Sequence, residues 1–521
     1  MSPPVRRIDL FACLSLATDL ALGQNQNFAL QSCLLGARLG EEARASDQGI
    51  AGILYQALLR YIGCNADTHL MSALLGDEYV FRREFARIDN GRGSEVLPLV
   101  LRALHRRSAG ASLTTTALTI VQGLMRAEGE SRAILSGHCE VAERLAARLG
   151  LPDTYRKNLG QLYERWDGRG IPHGLKGEAI ALPVRIVTLA QDAIVLTEAF
   201  GFDAAMAMIR ERRGGAYDPN LTDLFVAKAD RLMSGLAQGA NAEAIRRLEP
   251  APQAVLSEAE VDAACLVIAD MTDLRMPQSL GHSRAVADLA EAAARALSLP
   301  QADLVLTRRA GLVHDIGELL LPVSAWTRPG PFSETERDIA HLHPLHSERI
   351  LTRAGGTFDQ IGLIAGRHHE RLDGSGYHRG LRGTDLPLTA RILAAAEACR
   401  SWIEPRPHRT ALAPATAASR LNAEMRAGRV CREAGGAVLA ALGQPQTRPG
   451  QTLDLTAREV EVLRLLTEGR TIKGVALHLG IATKTADNHV QNLYSKLGVT
   501  TRAAAVLWAV ERGLHQNFLS G

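Results

Sequence analysis

Aromatic residues are scarce, at 4% of 521 positions, and no stretch sustains the alternation of Val, Ile or Thr with polar residues that a large sheet requires. A sheet-based fold is therefore not expected. The seven cysteines (13, 33, 64, 139, 265, 399 and 431) form no C-x-x-C pair and are odd in number, which excludes a disulfide framework and makes them small buried apolar residues in a reducing compartment. No window reaches the ~18 uninterrupted apolar residues of a membrane span. Arg6 and Arg7 ahead of Leu10 to Leu22 mimic a secretory signal, but Asp9 and Asp19 interrupt that run, so the expectation is a cytoplasmic chain with no membrane partner. Charge of one sign is also missing: 59 Lys and Arg against 56 Asp and Glu leave a net +3. Any polyanionic partner must be read from a local surface.

What is abundant is Ala and Leu at three- and four-residue spacing, as in Val141 to Leu149, Ala285 to Leu297 and Ile392 to Ala398. This predicts an all-α fold. The length, at about 150 residues per domain, predicts three to four domains. An internal repeat divides them. Glu164-Arg165-Trp166-Asp167-Gly168-Arg169-Gly170, followed by Gly174-Leu175-Lys176-Gly177, returns at an offset of 206 as Glu370-Arg371-Leu372-Asp373-Gly374-Ser375-Gly376 and Gly380-Leu381-Arg382-Gly383. Upstream, Leu58 to Gly63 parallels Leu312 to Gly317 at a different offset, which places an insertion in the first copy. Pro-bearing breaks suggest units at 1–248 and 249–442, a linker at 443–452 and a short unit at 453–521.

Histidine and carboxylate concentrate in the second copy: His282, the adjacent His314-Asp315, His343 and the adjacent His368-His369. Imidazole and carboxylate together suit Mn, Fe, Ni or Zn, and ligands adjacent in sequence can serve two neighbouring ions. A single helical histidine is more often a hydrogen-bonded core residue; the density of the set argues for metal chemistry. His314-Asp315-Ile316-Gly317, His343-Pro344 and His368-His369-Glu370 running into Asp373-Gly374-Ser375-Gly376-Tyr377 resemble the HD-GYP branch of the HD phosphohydrolases, over about residues 255 to 410. The segments Arg328 to Ser333 and Arg406 to Arg409 sit where that family carries similar ones.

The resemblance implies helical domains that hydrolyse cyclic di-GMP or a related dinucleotide by metal-assisted attack of an acidified water on phosphorus. It makes His282, His314, Asp315, His343, His368, His369 and Glu397 metal ligands, with His314 and Asp315 catalytic and Asp315 bridging. Arg371, Gly374, Gly376 and Tyr377 become substrate-binding residues, although the glycines also read as a plain turn between helices. Gln278 replaces the Glu of trinuclear members, so the expectation is two divalent ions, iron or manganese, and no organic cofactor. His378 follows the Gly-Tyr pair in place of proline, and Glu397 replaces the family's late aspartate. Glu318 stands where the family carries a phosphate-touching lysine. That reversal favours a sensor without turnover, whereas the nearly complete ligand set favours an enzyme. In the first copy Arg60-Tyr61 takes the His-Asp place and Leu162-Tyr163 that of the paired histidines, with only His138 and Glu164 retained; it reads as a degenerate unit for regulation, folding or dimerisation.

Thr456 to Glu468, Ile472 to Leu479 and Thr483 to Leu497 form amphipathic segments with Val460, Leu463, Leu466, Val475, Leu479, Val490, Leu493 and Leu497 at core spacing, a helix-turn-helix with Thr483 as expected N-cap. Leu455 to Leu463, Thr483-Lys484-Thr485 and His489 to Val499 closely resemble the LuxR-type helix-turn-helix. The resemblance implies that the helix from Thr483 enters the major groove of double-stranded DNA, with Asp487, Asn488 and Gln491 at base edges and Lys484, Thr485 and Lys496 at phosphates. Eight basic residues against six acidic ones give this unit a weak positive balance, so binding as a homodimer is expected, and the resemblance implies that the helix near Thr501 to Arg512 serves that purpose. Together these readings describe a DNA-binding regulator that hydrolyses or senses a cyclic dinucleotide, the alternative being an inactive ligand sensor or dimerisation scaffold.

Overall fold

The computed structural model describes residues 4–108, 113–327, 330, 332–406, 409–443 and 455–515, with side chains of the helix beginning at Leu113 described at 129 and from 131 onward. Apart from Gly443, the expected linker lies outside these residues, as do Arg328, Pro329, Pro331, Pro407 and His408. The described residues are mostly helical, and extended pairing among them is confined to isolated bridges, which agrees with the all-α expectation. No helix among them is long and apolar enough to cross a membrane. All seven cysteines are free and buried.

Two compact units form, one of residues 4–257 with 322–324, the other of the described residues in 258–321 and 325–515. In the first, helix starts are fixed by side-chain caps: Ser46 accepts from Gly49 N, and Asp218, ahead of Pro219, accepts from Asn220 N and Leu221 N. Phe28–Glu42, Asp47–Leu59 and Leu182–Phe200 pack together around Phe28, Leu35, Ile53 and Leu189, all essentially inaccessible to solvent. In the second, His282–Ala296 packs on Gln301–Val313, Leu388–Ile403 and Arg432–Leu442 around Val286, Leu289, Ile392 and Val438.

The sequence repeat is a structural one. Both Glu164 carboxylate oxygens accept from His173 N and Leu175 N, and both Glu370 oxygens accept from Arg379 N and Leu381 N. Asp167 bridges Lys176 as Asp373 bridges Arg382. A Cβ on Gly63 would stand 2.0 Å from the His138 carbonyl oxygen, and one on Gly317 the same distance from that of His343. Only glycine permits this approach, which seats the Arg60-Tyr61 turn on His138 and the His314-Asp315 turn on His343. The first copy's longer connection between these points supplies Thr68–Leu75, Glu78–Phe85, Gly93–Arg107 and the start of Leu113–Arg148.

The C-terminal module consists of Ala457–Thr467, Ile472–Leu479, Thr483–Leu497 and Arg502–Glu511. Thr456 and Glu459 form a capping box, Thr471 and Thr501 cap the second and fourth helices, and Gly480 and Gly498 end the second and third in the left-handed region. Of the expected core residues, Leu463, Leu466, Val475, Val490, Leu493 and Leu497 are buried, while Val460 and Leu479 are half-buried. One expectation is corrected. The N-cap of Thr483–Leu497 is Ala482, whose extended backbone (ψ 145°) precedes the helix; Thr483 is already its first helical residue, and no side chain caps that end.

Candidate functional site

The His-Asp turn leaves the end of Gln301–Val313, and Ser347 pins it by accepting from Gly317 N at 2.9 Å and donating to His314 O at 2.5 Å. His282 opens its helix, His343 sits mid-way along Glu334–Leu351, His368 and His369 follow Thr357–Ala365, and Glu397 lies within Leu388–Ile403. These separate elements bring all seven expected ligands together. His282 Nε2 is 3.0 Å and His314 Nε2 3.3 Å from Glu397 Oε2. The same two nitrogens lie 3.5 and 3.2 Å from Asp315 Oδ2, and His343 Nε2 and His368 Nε2 each lie 3.4 Å from Asp315 Oδ1. His369 joins through ring contacts, 4.2 Å between centroids with His368 and 5.0 Å with His343.

The imidazoles are oriented from behind. Nδ1 of His314, His343 and His368 donates to the carbonyls of Gly311, Ala340 and Ala365, and Nδ1 of His282 donates to Glu404 at 2.6 Å. With every Nδ1 proton engaged by an acceptor, four Nε2 atoms turn toward Asp315 and Glu397. Burial alone would raise both carboxyls, but the facing histidines hold them well below the usual carboxylate range. Burial would likewise lower His314, yet Asp315 pushes it up to about 10, while His368, buried and beside His314, falls to about 3. The site thus needs positive charge between two carboxylates in a dry volume.

A divalent ion fits that need. His282 Nε2, His314 Nε2 and Glu397 Oε2 are buried without a hydrogen-bond partner. Three sets of donors lie within 4.8 Å of one another: His343, His368 and His369; His282, His314 and Asp315; and Asp315, Glu318 and His343. The described residues therefore contain His and Asp groups able to hold metal.

One participant escaped the sequence reading and another was read for its charge alone. Glu404, the C-cap of the helix that carries Glu397, stands seven residues beyond it, about two turns, a spacing that could have revealed it. Glu318, read as a carboxylate facing an incoming anion, has its carboxyl gathered with Asp315 and His343; burial and Asp315 push that carboxyl up.

Of the expected substrate residues, Tyr377 covers the centre, its ring 4.7 Å from His369 and 4.5 Å from a stacked His341. A Cβ on Gly376 would meet Arg371 N at 2.4 Å and His369 O at 2.5 Å, and Gly374, at φ +81°, rests against Arg382. These glycines thus serve a tight turn. Arg371 donates to Glu370 O at 3.1 Å and lines a small pocket with Leu386, Ala394 and Val430, and its charge acts on His369 and Glu397 of the cluster.

In the C-terminal module Lys484, Thr485, Asn488 and Gln491 are exposed along Thr483–Leu497. Asp487 is half-buried, 3.7 Å from Lys484, and Lys496 is ion-paired with Glu459 at 2.8 Å.

The family model described as HD domain matches residues 111–221 and 266–430, more than half of the chain. The chain belongs to the HD domain family. A second model, bacterial regulatory proteins of the luxR family, matches residues 453–509. This HD-domain chain is 28% identical over 409 residues to 3'3'-cGAMP-specific phosphodiesterase 3 of Vibrio cholerae, covering 78% of the chain and 88% of that relative. It is 38% identical over 119 residues to the cyclic di-GMP phosphodiesterase response regulator RpfG of Xanthomonas campestris, covering 23% of the chain and 32% of the relative. Its fold is that of the crystal structure of a cyclic GMP-AMP-specific phosphodiesterase of V. cholerae, with a TM-score of 0.59 and 24% identity over 85% of this chain and 99% of that one.

Proposed function

We propose that this chain is a transcriptional regulator whose second HD unit is a metal-dependent phosphodiesterase for a cyclic dinucleotide, and whose luxR-type module binds double-stranded DNA. The observation that carries the reading is the convergence of four Nε2 atoms on Asp315 and Glu397, with His282 Nε2, His314 Nε2 and Glu397 Oε2 left without hydrogen bonds in a buried volume. His282, His314, Asp315, His343, His368, His369 and Glu397 would hold two divalent ions, iron or manganese. When bound, such ions supply Lewis acidity at a phosphoryl oxygen and acidify water. Asp315 presents an oxygen to each half of the cluster and so links the two sides. Glu404 and the three carbonyl acceptors keep the imidazoles in one tautomer, and Tyr377 restricts solvent above His369. The family's regulatory module and its exposed helix Thr483–Leu497 support DNA recognition.

The test is hydrolysis of cyclic di-GMP and 3'3'-cGAMP by protein purified without oxygen and supplied with Fe or Mn, alongside Asp315→Ala. Turnover lost in the variant supports the enzyme. A second reading, a ligand sensor without turnover, is favoured by Glu318, an acid standing with Asp315 and His343 where an anionic substrate would come. Metal bound without turnover would select it.

A further inference from the structure

The first HD unit holds a cavity of about 210 Å³ at the place its degenerate motif occupies. Arg60 and Tyr61, in the His-Asp position, line it together with His138 and Tyr163. The far wall is apolar and comes from the insertion peculiar to this copy: Met71, Leu74, Leu75, Phe81 and Phe85. The same insertion contributes Arg82. The additional segment thus roofs the lost metal site with hydrophobic surface and one further guanidinium.

Three side chains here each keep one donor without an acceptor. Arg60 donates to Thr188 Oγ1 and Leu162 O, both at 3.1 Å, and its Nε has no partner. Arg82 donates to Cys64 O at 2.7 Å and Thr68 Oγ1 at 3.2 Å, and one terminal nitrogen has no partner. Gln191 accepts from Tyr61 while its Nε2 is unpaired. Three side chains that line one cavity thus each hold an unpaired buried donor, which is costly. The acids of the lining are already engaged: Asp89 by Arg165, Glu164 by the glycine loop, and Asp192 by the Tyr217 hydroxyl. Neither Arg60 nor Arg82 is ion-paired with a carboxylate among the described residues.

We propose that this cavity is a metal-free binding site for an organic anion with an apolar body, its carboxylate or phosphate head on Arg60 and Arg82 and its body on Met71, Leu74, Phe81 and Phe85. A guanidinium pair satisfies a multi-oxygen head with directed donors, and an apolar wall with a few convergent polar groups is the ordinary make-up of a small-molecule site. Substitution of His-Asp by Arg-Tyr thereby replaces a metal, which would hold an anion indirectly, by a cation built into the chain.

Calorimetry on the full chain with decanoate, decyl phosphate, decanol and decylammonium tests this. One or both anions bind and raise the thermal midpoint, and decanol and decylammonium bind at least ~10-fold more weakly. The anion preferred tells a carboxylate head from a phosphate. Arg82→Met weakens that anion at least ~10-fold with the fold intact by circular dichroism, and this half-exposed position decides the matter if Arg60→Met fails to fold. Asp315→Ala binds like the unaltered chain, since it touches only the other unit, so failure of the phosphodiesterase reading leaves this one standing. Equal binding of decanol and the anions, unchanged affinity in Arg82→Met, or no binding of either anion would overturn the proposal.

Discussion

His343 and His368 meet Nε2 to Nε2 at 2.8 Å while each ring donates its Nδ1 proton to a carbonyl three residues back. Two lone pairs at that distance repel unless a proton or a cation lies with them, so the pair calls for one or the other. His368→Ala removes one of the two nitrogens. Metal per chain, measured by plasma mass spectrometry, should fall, and metal affinity should drop by more than the ~10–100-fold that loss of an outer partner costs. Full metal retention in His368→Ala would remove this histidine from the site.

Glu404 is not among the expected ligands; it acts through His282, holding Nδ1 at 2.6 Å, and Arg400 holds its other oxygen at 2.9 Å. Glu404→Ala frees the ring to turn or change tautomer, so metal affinity should fall by about 10–100-fold. Glu404→Gln, which keeps an acceptor oxygen, should recover part of the loss. A merely structural role would lower thermal stability equally in both variants and leave metal affinity unchanged.

The His and Asp cluster was legible because its motif residues are adjacent pairs, His314-Asp315 and His368-His369, whose chemistry survives without knowledge of the fold. Glu404 was not, because an outer partner carries no motif and only helix periodicity ties it to Glu397. Glu318 was placed correctly but read for its charge alone; its meaning depends on the turn that gathers it with Asp315 and His343. The Thr483 cap failed for a local reason, since Ala482 supplies the extended backbone and helix starts are set by dihedrals as well as by residue type. The first-unit cavity could not be read at all: the insertion was visible as a change of offset, but which of its side chains faces Arg60 is decided by packing.

In the first unit, His138 sits between Tyr163 OH at 3.2 Å and Ala66 O at 3.0 Å, and burial followed by the nearby Arg82 pushes it down to about 4. Its folded value lies below its unfolded one near 6.5, so the unfolded chain takes up the proton first. The stability this histidine contributes is complete above about pH 6.5 and is lost as pH falls toward about 4, to the extent of about 3 kcal/mol. Thermal unfolding between pH 7.5 and 4.5 should show the decline in the first unit's transition, and His138→Gln should flatten it. A decline of equal steepness in the variant would assign the effect to other groups.

Lys484, Asn488 and Gln491 share one exposed face of Thr483–Leu497, at spacings that place them on successive turns, whereas Lys496 is drawn onto Glu459, whose carboxylate also caps the first helix of the module. If that face reads DNA, Asn488→Ala and Gln491→Ala should each cost about 1–3 kcal/mol on a selected duplex and relax preference at one base pair. Lys484→Ala should weaken all duplexes alike and reduce the slope of log affinity against log salt by about one. Lys496→Ala should leave that slope nearly unchanged and lower the thermal midpoint instead, since its charge is neutralised within the fold. Fluorescence anisotropy across a salt series separates the two lysines, and an equal loss of slope in both would mean that the Glu459 pair opens when DNA arrives.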